Sequence, residues 1–206
     1  TITSDKSKLF SVSVNGGTAQ CYDYPIENNY YQFGLTPSIK INSRIKLDYD
    51  LFYKKQNDNP EYVKSNSDLD EIYFGRMDRE TVINSLNCSY TFSNRMSLYL
   101  YLRHYWSLVQ YDRFYELDNE GILQSSNYNE NHNINYNAFN VDMIYRWNFA
   151  AGSEFVINWK CSINSDDNLR ETSYWRNLDA LFDYSRLNSF SIKFLYYLDY
   201  NSLKTR

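Results

Sequence analysis

The chain has 206 residues, including 22 Tyr and 12 Phe, and its 21 basic residues nearly balance its 25 acidic ones. This length fits one domain with a real core, and six Gly and three Pro are too few for a fibrous or disordered chain. The balanced charge, without a basic stripe, argues against nucleic acid as a partner, and no apolar run approaches the ~20 residues that a membrane-spanning helix needs.

Alternating apolar and polar residues recur eight times along the chain, and a period of two predicts β-strands. No helical period competes with this pattern, so we expect an all-β chain. The faces of the first strand are poorly defined, whereas the fourth strand is long enough to project beyond a bilayer. The first five predicted strands cover residues 8–20, 29–41, 44–55, 71–92 and 96–111.

The clearest pattern lies in residues 139–160, FNVDMIYRWNFAAGSEFVINWK, where two alternating runs flank the short link AAGS. In the first run six apolar or aromatic residues share one face, and the second run repeats the pattern. The short link with Gly152 predicts a hairpin, whose two strands are the sixth and seventh of the chain. The eighth predicted strand covers residues 188–200.

The lengths of the connections indicate the architecture. Three links are tight, and they alternate with four longer polar links. An up-and-down meander with this alternation is typical of outer-membrane β-barrels, which have short periplasmic turns and long external loops. The predicted strands also match or exceed the roughly 9–11 residues that cross a bilayer as a tilted strand. The tight links are 42–43, 93–95 and 150–152, and the longer ones are 21–28, 56–70, 112–134 and 164–187.

We therefore predict an antiparallel up-and-down transmembrane β-barrel of the outer membrane, with about eight strands in one domain over residues 1–206. Its C-terminus would lie in the periplasm, and its partners would be outer-membrane lipid and the barrel-assembly machinery, which would recognise the last strand. A soluble sandwich also alternates, but it does not explain the strand lengths, the unequal links or the aromatic residues at the strand ends. These aromatics suit the interfacial girdles of a barrel. They are Tyr31, Tyr53, Tyr90, Phe92, Trp106, Phe149 and Tyr200.

Three segments carry a family resemblance: FGRMDRETVINSLNCSYTFSNRMSLYLYLRHYW, FNVDMIYRWNFAAGSEFVINWK and SFSIKFLYYLDYNSL. They resemble the C-terminal part of a Bacteroidota outer-membrane family. Its members pair an N-terminal carbohydrate-binding family 9-like β-sandwich with a C-terminal β-barrel domain of unknown function. The resemblance, which covers residues 70–206, implies that this chain is the C-terminal part of a larger barrel. It also implies an N-terminal domain of the same polypeptide as a partner, and it transfers no catalytic residue.

The candidates for catalysis are weak, and we expect no enzyme, no cofactor and no metal. His104 shares a face with Leu102 and Trp106, a lipid-facing position at which a phospholipase-type His could sit. Such a site needs a Ser nucleophile within reach, and Ser107 points the other way. His132 lies in the Asn-rich loop NYNENHNINYN and is expected to be solvated.

Two groups of residues carry the functional hypotheses. Polar residues on the inward faces would pair and plug a small closed barrel, or line the water of a larger one. Aromatic residues in Asn- and Asp-rich loops resemble platforms on which sugars stack. We therefore predict a porin-like transport or channel barrel; the alternative is a surface glycan-binding or carbohydrate-processing protein whose barrel is an anchor. The inward residues are Lys46, Asp48, Asp50, Arg103, Asp142, Arg146, Glu154, Lys160 and Lys193, and the loop aromatics are Tyr22, Tyr24, Tyr115, Tyr128, Tyr174 and Trp175.

Overall fold

The computed structural model describes residues 1–23, 26–66, 71–166 and 173–198. These residues form ten antiparallel strands in one sheet and one short helix, which confirms the all-β, up-and-down prediction. In the described part of the chain, no helix has the length and apolarity needed to cross a membrane. The elements are β1 (Ile2–Thr3), β2 (Phe10–Asp23), β3 (Ile26–Lys40), β4 (Ile45–Asn66), β5 (Glu71–Ser93), β6 (Met96–Leu117), β7 (Leu123–Ser125), β8 (Ile134–Ala150), β9 (Ser153–Asp166), α1 (Tyr174–Leu181) and β10 (Leu187–Leu195).

Eight of these strands are long and correspond to the eight predicted ones, and β1 and β7 are additional strands of two and three residues. Each long strand pairs with its neighbour along the chain, in the order β2-β3-β4-β5-β6-β8-β9-β10. Among the described residues, no pairing joins the two ends of this order, so the sheet is open there. The last strand ends at Leu195 rather than at residue 200, and Tyr200 lies outside the described residues.

The three tight links form as predicted, each for a local reason. At the first, the side-chain oxygen of Asn42 accepts hydrogen bonds from the backbone N–H groups of Arg44 and Ile45, at 2.8 and 3.0 Å. At the second, Ser93 Oγ accepts the N–H of Arg95 at 3.3 Å. At the third, Gly152 adopts a φ of 70°, a left-handed conformation that a residue with a side chain rarely takes. All three links lie at the same end of the sheet.

Two of the four predicted longer links were wrong. β2 and β3 include the described residues of 21–28, and β4 continues through Asn66, so most of 56–70 is strand. The polar residues of these segments pair with neighbouring strands and extend the sheet beyond the alternating runs.

The pairing register assigns side chains to two faces, because successive residues of a strand point to opposite sides. One row across five strands reads Cys88, Leu100, Met143, Trp159 and Phe190. We call the side of the sheet that carries this row the apolar face. The adjacent row reads Asn87, Tyr101, Asp142, Lys160 and Ser189. We call the side that carries it the polar face.

Buried side chains gather toward the end of the sheet with the long connections, where α1 packs on the apolar face. Its residues Tyr174, Asn177 and Leu181 recur at helical spacing, and Leu181 is fully buried. The helix corrects the prediction of a helix-free 164–187 connection. Eight residues are too few for a helical period to stand out among alternating strands. The largest fully buried side chains are Trp106, Met77, Leu181 and Asn137.

Candidate functional site

The polar face carries charged residues of both signs, and the structure places all nine predicted inward residues there. Most of them form ion pairs with neighbours on the same face. Lys160 Nζ lies 3.3 Å from Asp142 Oδ1, and Lys46 Nζ lies 2.6 Å from Asp48 Oδ2. Glu154 accepts Lys193 at 2.7 Å and approaches Arg146 Nε at 3.9 Å. The pairs therefore cancel much of the charge locally.

The lysines of these pairs reach solvent, whereas the Asp142 and Glu154 side chains are only 35% and 23% exposed. The Lys160 side chain is 70% exposed and the Lys193 side chain is 60% exposed. Arg103 lies over the ring of Tyr105, with its guanidinium carbon 5.9 Å from the ring centroid.

Two tyrosines that the sequence interpretation did not single out also lie on the polar face. In LYLYLRHYW the period of two puts Tyr99 and Tyr101 on the side of Arg103, opposite to Leu98, Leu100 and Leu102. The alternation alone therefore separates these two tyrosines from the leucines that lie between them. Tyr101 and Asp142 border two open cavities of ≈ 390 and ≈ 410 Å³. The first cavity also reaches Tyr99 and the second reaches Arg103.

A second concave site lies at the long-connection end, between the end of β6 and the segment that leads to β8. This pocket encloses ≈ 580 Å³ and is lined by Tyr111, Phe114, Tyr128, His132 and neighbouring polar residues. Phe114 packs edge-on against Tyr128, with ring centroids 5.1 Å apart, and the Tyr111 and Phe114 rings stack at 5.8 Å. We call it the loop pocket.

One hydrogen-bonded cluster organises the floor of the loop pocket. The Tyr128 hydroxyl donates to Glu130 Oε2 at 2.7 Å and accepts from His132 Nε2 at 2.6 Å. Partial burial and the hydrogen bond to Glu130 raise the pKa of Tyr128 to about 12. The same hydrogen bond and the Lys64 charge lower the pKa of Glu130. His132 therefore has defined partners here, in contrast to the solvated loop histidine that the sequence suggested.

The structure distributes the other predicted loop aromatics differently. Tyr115 lies within β6 and is buried, so its prediction as a loop residue was wrong. Tyr22 lies near the end of β2 and is exposed, and Trp175 on α1 is 74% exposed. Tyr174 begins α1 and packs against the sheet. Tyr24 lies outside the described residues.

The lipid-facing placement of His104 was also wrong, because α1 covers this part of the apolar face. His104 and Trp106 are 5% and 1% exposed. His104 Nε2 lies 2.8 Å from Asn137 Oδ1, and Nδ1 lies 3.2 Å from the Tyr174 hydroxyl. Asn84 donates to the same hydroxyl at 2.8 Å. Both ring nitrogens thus have amide or phenol partners, a neutral network that satisfies buried polar groups and lacks a nucleophile.

In the described ranges, no group of three or more His, Cys, Asp or Glu side chains converges in a way that could hold a metal ion. In comparisons with known proteins, the family model of a domain of unknown function, DUF5916, matches residues 1–206. No curated protein and no solved structure matches the chain. The two faces of the sheet and the loop pocket are therefore the features that can carry a function.

Proposed function

The chain belongs to the DUF5916 family, and we propose that its sheet forms part of the wall of an outer-membrane β-barrel through which solutes pass, without catalysis of its own. The observation that carries this proposal is the persistence of the two faces. The apolar row of Cys88, Leu100, Met143, Trp159 and Phe190 continues across five strands, and the adjacent row is mostly polar. Outer-membrane barrels have this arrangement, with lipid outside and water inside.

Strand length supports a membrane location. The long strands from β2 to β9 have 14 to 23 residues, whereas about 9–11 suffice to cross a bilayer. The three tight links share one end, which would face the periplasm, and the segments that join β6 to β8 and β9 to β10 would face outward. Outer-membrane lipid and the barrel-assembly machinery are the partners that such a wall needs.

The open order of the sheet supports a wall segment rather than a closed small barrel. A closed barrel of eight strands has an interior that side chains fill, whereas the lysines of the ion pairs on the polar face are largely exposed. We infer that further strands complete a wider barrel, whose lumen the polar face lines. The resemblance of residues 70–206 to the C-terminal barrel of a Bacteroidota outer-membrane family agrees with this inference.

Thiol labelling in bilayers tests the proposal, because Cys88 and Ser89 are adjacent in β5 and point to opposite faces. In the intact polypeptide, ionic current across a planar bilayer is recorded before and after a charged, membrane-impermeant thiol reagent is added. Cys21 and Cys161 are first replaced by Ser in both proteins, because Cys21 is exposed. We then expect no response from Cys88 and a reduced current from the Cys88→Ser, Ser89→Cys variant. An absence of current, or equal labelling of both positions, would contradict the proposal.

The loop pocket favours a second candidate, in which the barrel anchors a surface glycan-binding or carbohydrate-processing protein. Its stacked rings and amide-rich rim combine apolar platforms with hydrogen-bonding groups, as carbohydrate recognition requires. Binding of cell-surface polysaccharide to whole cells tests this candidate. Tyr128→Ala should abolish binding, whereas the exposed Tyr22→Ala should not. Equal binding by both variants would exclude the loop pocket.

A further inference from the structure

We propose that Tyr99 and Tyr101 form a track for neutral oligosaccharides along the polar face. This inference rests on the proposed passage and names its class of solute. The two tyrosines are separated by one residue of β6, so they stand on the same face about 6.8 Å apart along the strand. Two rings in line offer successive apolar platforms, and Tyr99 is 54% exposed.

An interfacial role does not account for these tyrosines. The girdle aromatics of a barrel face lipid and therefore belong on its apolar outer side. Tyr90, Phe92 and Tyr145 occupy that side of this sheet near the tight turns, and Phe92 packs against both other rings. Tyr99 and Tyr101 point in the opposite direction, toward the ion pairs.

The immediate neighbours of Tyr101 supply hydrogen-bonding groups on both sides of the ring. Its partners across the sheet are Asn87 on β5 and Asp142 on β8. Directly opposed side chains lie about 5 Å apart, which is close enough to contact one ligand together. An amide both donates and accepts, and a carboxylate accepts, so the pair matches hydroxyl groups at the edge of a ring that lies on Tyr101.

The charges beside Tyr99 and Tyr101 favour a neutral ligand there, whereas Arg103, in the second cavity, lies over the Tyr105 ring and is in none of the ion pairs of the described residues. Asp142 is paired with Lys160 at 3.3 Å, and Asp48 is paired with Lys46 at 2.6 Å. A site for an anion or a cation would instead present unpaired charge of one sign. Hydroxyl groups can bridge paired charges, because each hydroxyl donates to the acid and accepts from the base.

Two cavities on the polar face show how far a ligand bound at the tyrosines could extend. The cavity of ≈ 390 Å³ includes Tyr99 and Tyr101, and the cavity of ≈ 410 Å³ continues from Tyr101 to Arg103 and Lys160. Because both are lined by Tyr101 and Asp142, they adjoin at β6 and β8, and together they cross the sheet from Lys46 on β4 to Ser189 on β10. A linear ligand of several rings fits this extended surface better than a single compact molecule does.

Calorimetric titration of the intact polypeptide in detergent tests the track. The probes are maltohexaose and cellohexaose, which are neutral, and hexagalacturonate, which has the same length and is acidic. We expect binding of a neutral probe and weaker binding of the acidic one. Tyr101→Ala should lower the affinity about tenfold, equivalent to about 1.4 kcal/mol, whereas Tyr101→Phe should keep most of it. The matched control is Tyr90→Ala on the apolar face, which should bind as the native protein does.

Two results would overturn the track: no binding of either neutral probe, or equal affinity of the Tyr101→Ala variant and the native protein. Bilayer recordings separate this failure from failure of the passage. A current that neither neutral probe reduces would refute the track and leave the passage standing. An absence of current would refute the passage, while the titration would still decide whether the two cavities bind sugar.

Discussion

The side-chain amide of Asn135 on β8 donates a 2.6 Å hydrogen bond to the side-chain oxygen of Asn177 on α1, and both residues are buried. Asn137 donates to the backbone oxygen of Asn177 at 2.7 Å. The helix is therefore held to the sheet by amides as well as by Leu181, and amide pairs fix one orientation because both partners must be satisfied.

Replacing Asn177 by Ala should destabilise the docked helix by about 1–3 kcal/mol, because it leaves the buried Asn135 donor without this partner. Hydrogen exchange of α1 amides measures the loss directly, and exchange in the strands near the tight turns should change little. Asp179→Ala, at an exposed position of the same helix, is the control. Similar exchange in both variants would show that the amides do not hold the helix.

Introducing Arg on the apolar face should cost far more than introducing it on the polar face. Met143→Arg or Ile157→Arg should destabilise folding in bilayers by about 2–4 kcal/mol, as mid-membrane barrel positions do. Asn140→Arg, on the polar face three residues before Met143, loses one hydrogen bond from Ser162 and should be much milder. Equal costs on both faces, measured by chemical denaturation in lipid, would favour a soluble core.

Gly75 permits a close contact beneath the loop pocket. A Cβ atom at this position would collide with the Tyr111 ring, 2.7 Å from its Cε1 atom, and would lie 3.0 Å from Val63 Cγ2. Gly75→Ala should therefore cost about 1–3 kcal/mol and displace Tyr111 from Phe114. Tyr fluorescence and thermal unfolding report both effects. Gly17→Ala, whose nearest new contact is 3.6 Å away, should have neither.

Acid should destabilise the pairing of β5 and β6 near Arg76 and Asp112, at the end of the sheet opposite the tight links. Two hydrogen bonds from Arg76 lower the pKa of Asp112 below its ordinary value of 3.8. A carboxyl with a lowered pKa stabilises the folded state above the ordinary value, and this contribution is lost as the pH falls through the lowered pKa. We expect amide exchange around Asp112 to accelerate below pH 3.8.

Asp112→Asn should remove this acid step and make the local exchange nearly independent of pH in that range, after correction for intrinsic rates. Asp183→Asn, at an exposed position away from Arg76, should retain the step. Persistence of the acid step in Asp112→Asn would assign it to another carboxyl.

Alternation predicted the eight long strands because each one buries or exposes every second side chain along its length. It could not predict that α1 folds back onto the apolar face, since the contact joins His104 and Tyr174 across 70 positions. The placement of His104 failed for this reason alone: its own strand and face were correct. The positions of Tyr99 and Tyr101 on the polar face could have been predicted from the period of two, because Tyr is compatible with either face of a sheet.

The strands that share the tight-turn end do not reach the same height at the other end. Strands β4, β5 and β6 have 22, 23 and 22 residues, whereas β2, β3 and β9 have 14, 15 and 14. The middle of the sheet therefore extends about 25 Å further along the strand direction than its flanks do. In the proposed membrane location, this extension of β4, β5 and β6 would hold the loop pocket clear of the lipid headgroups. In the proposed barrel, phages, antibodies and insoluble polymers would meet this extension before they reach the channel mouth.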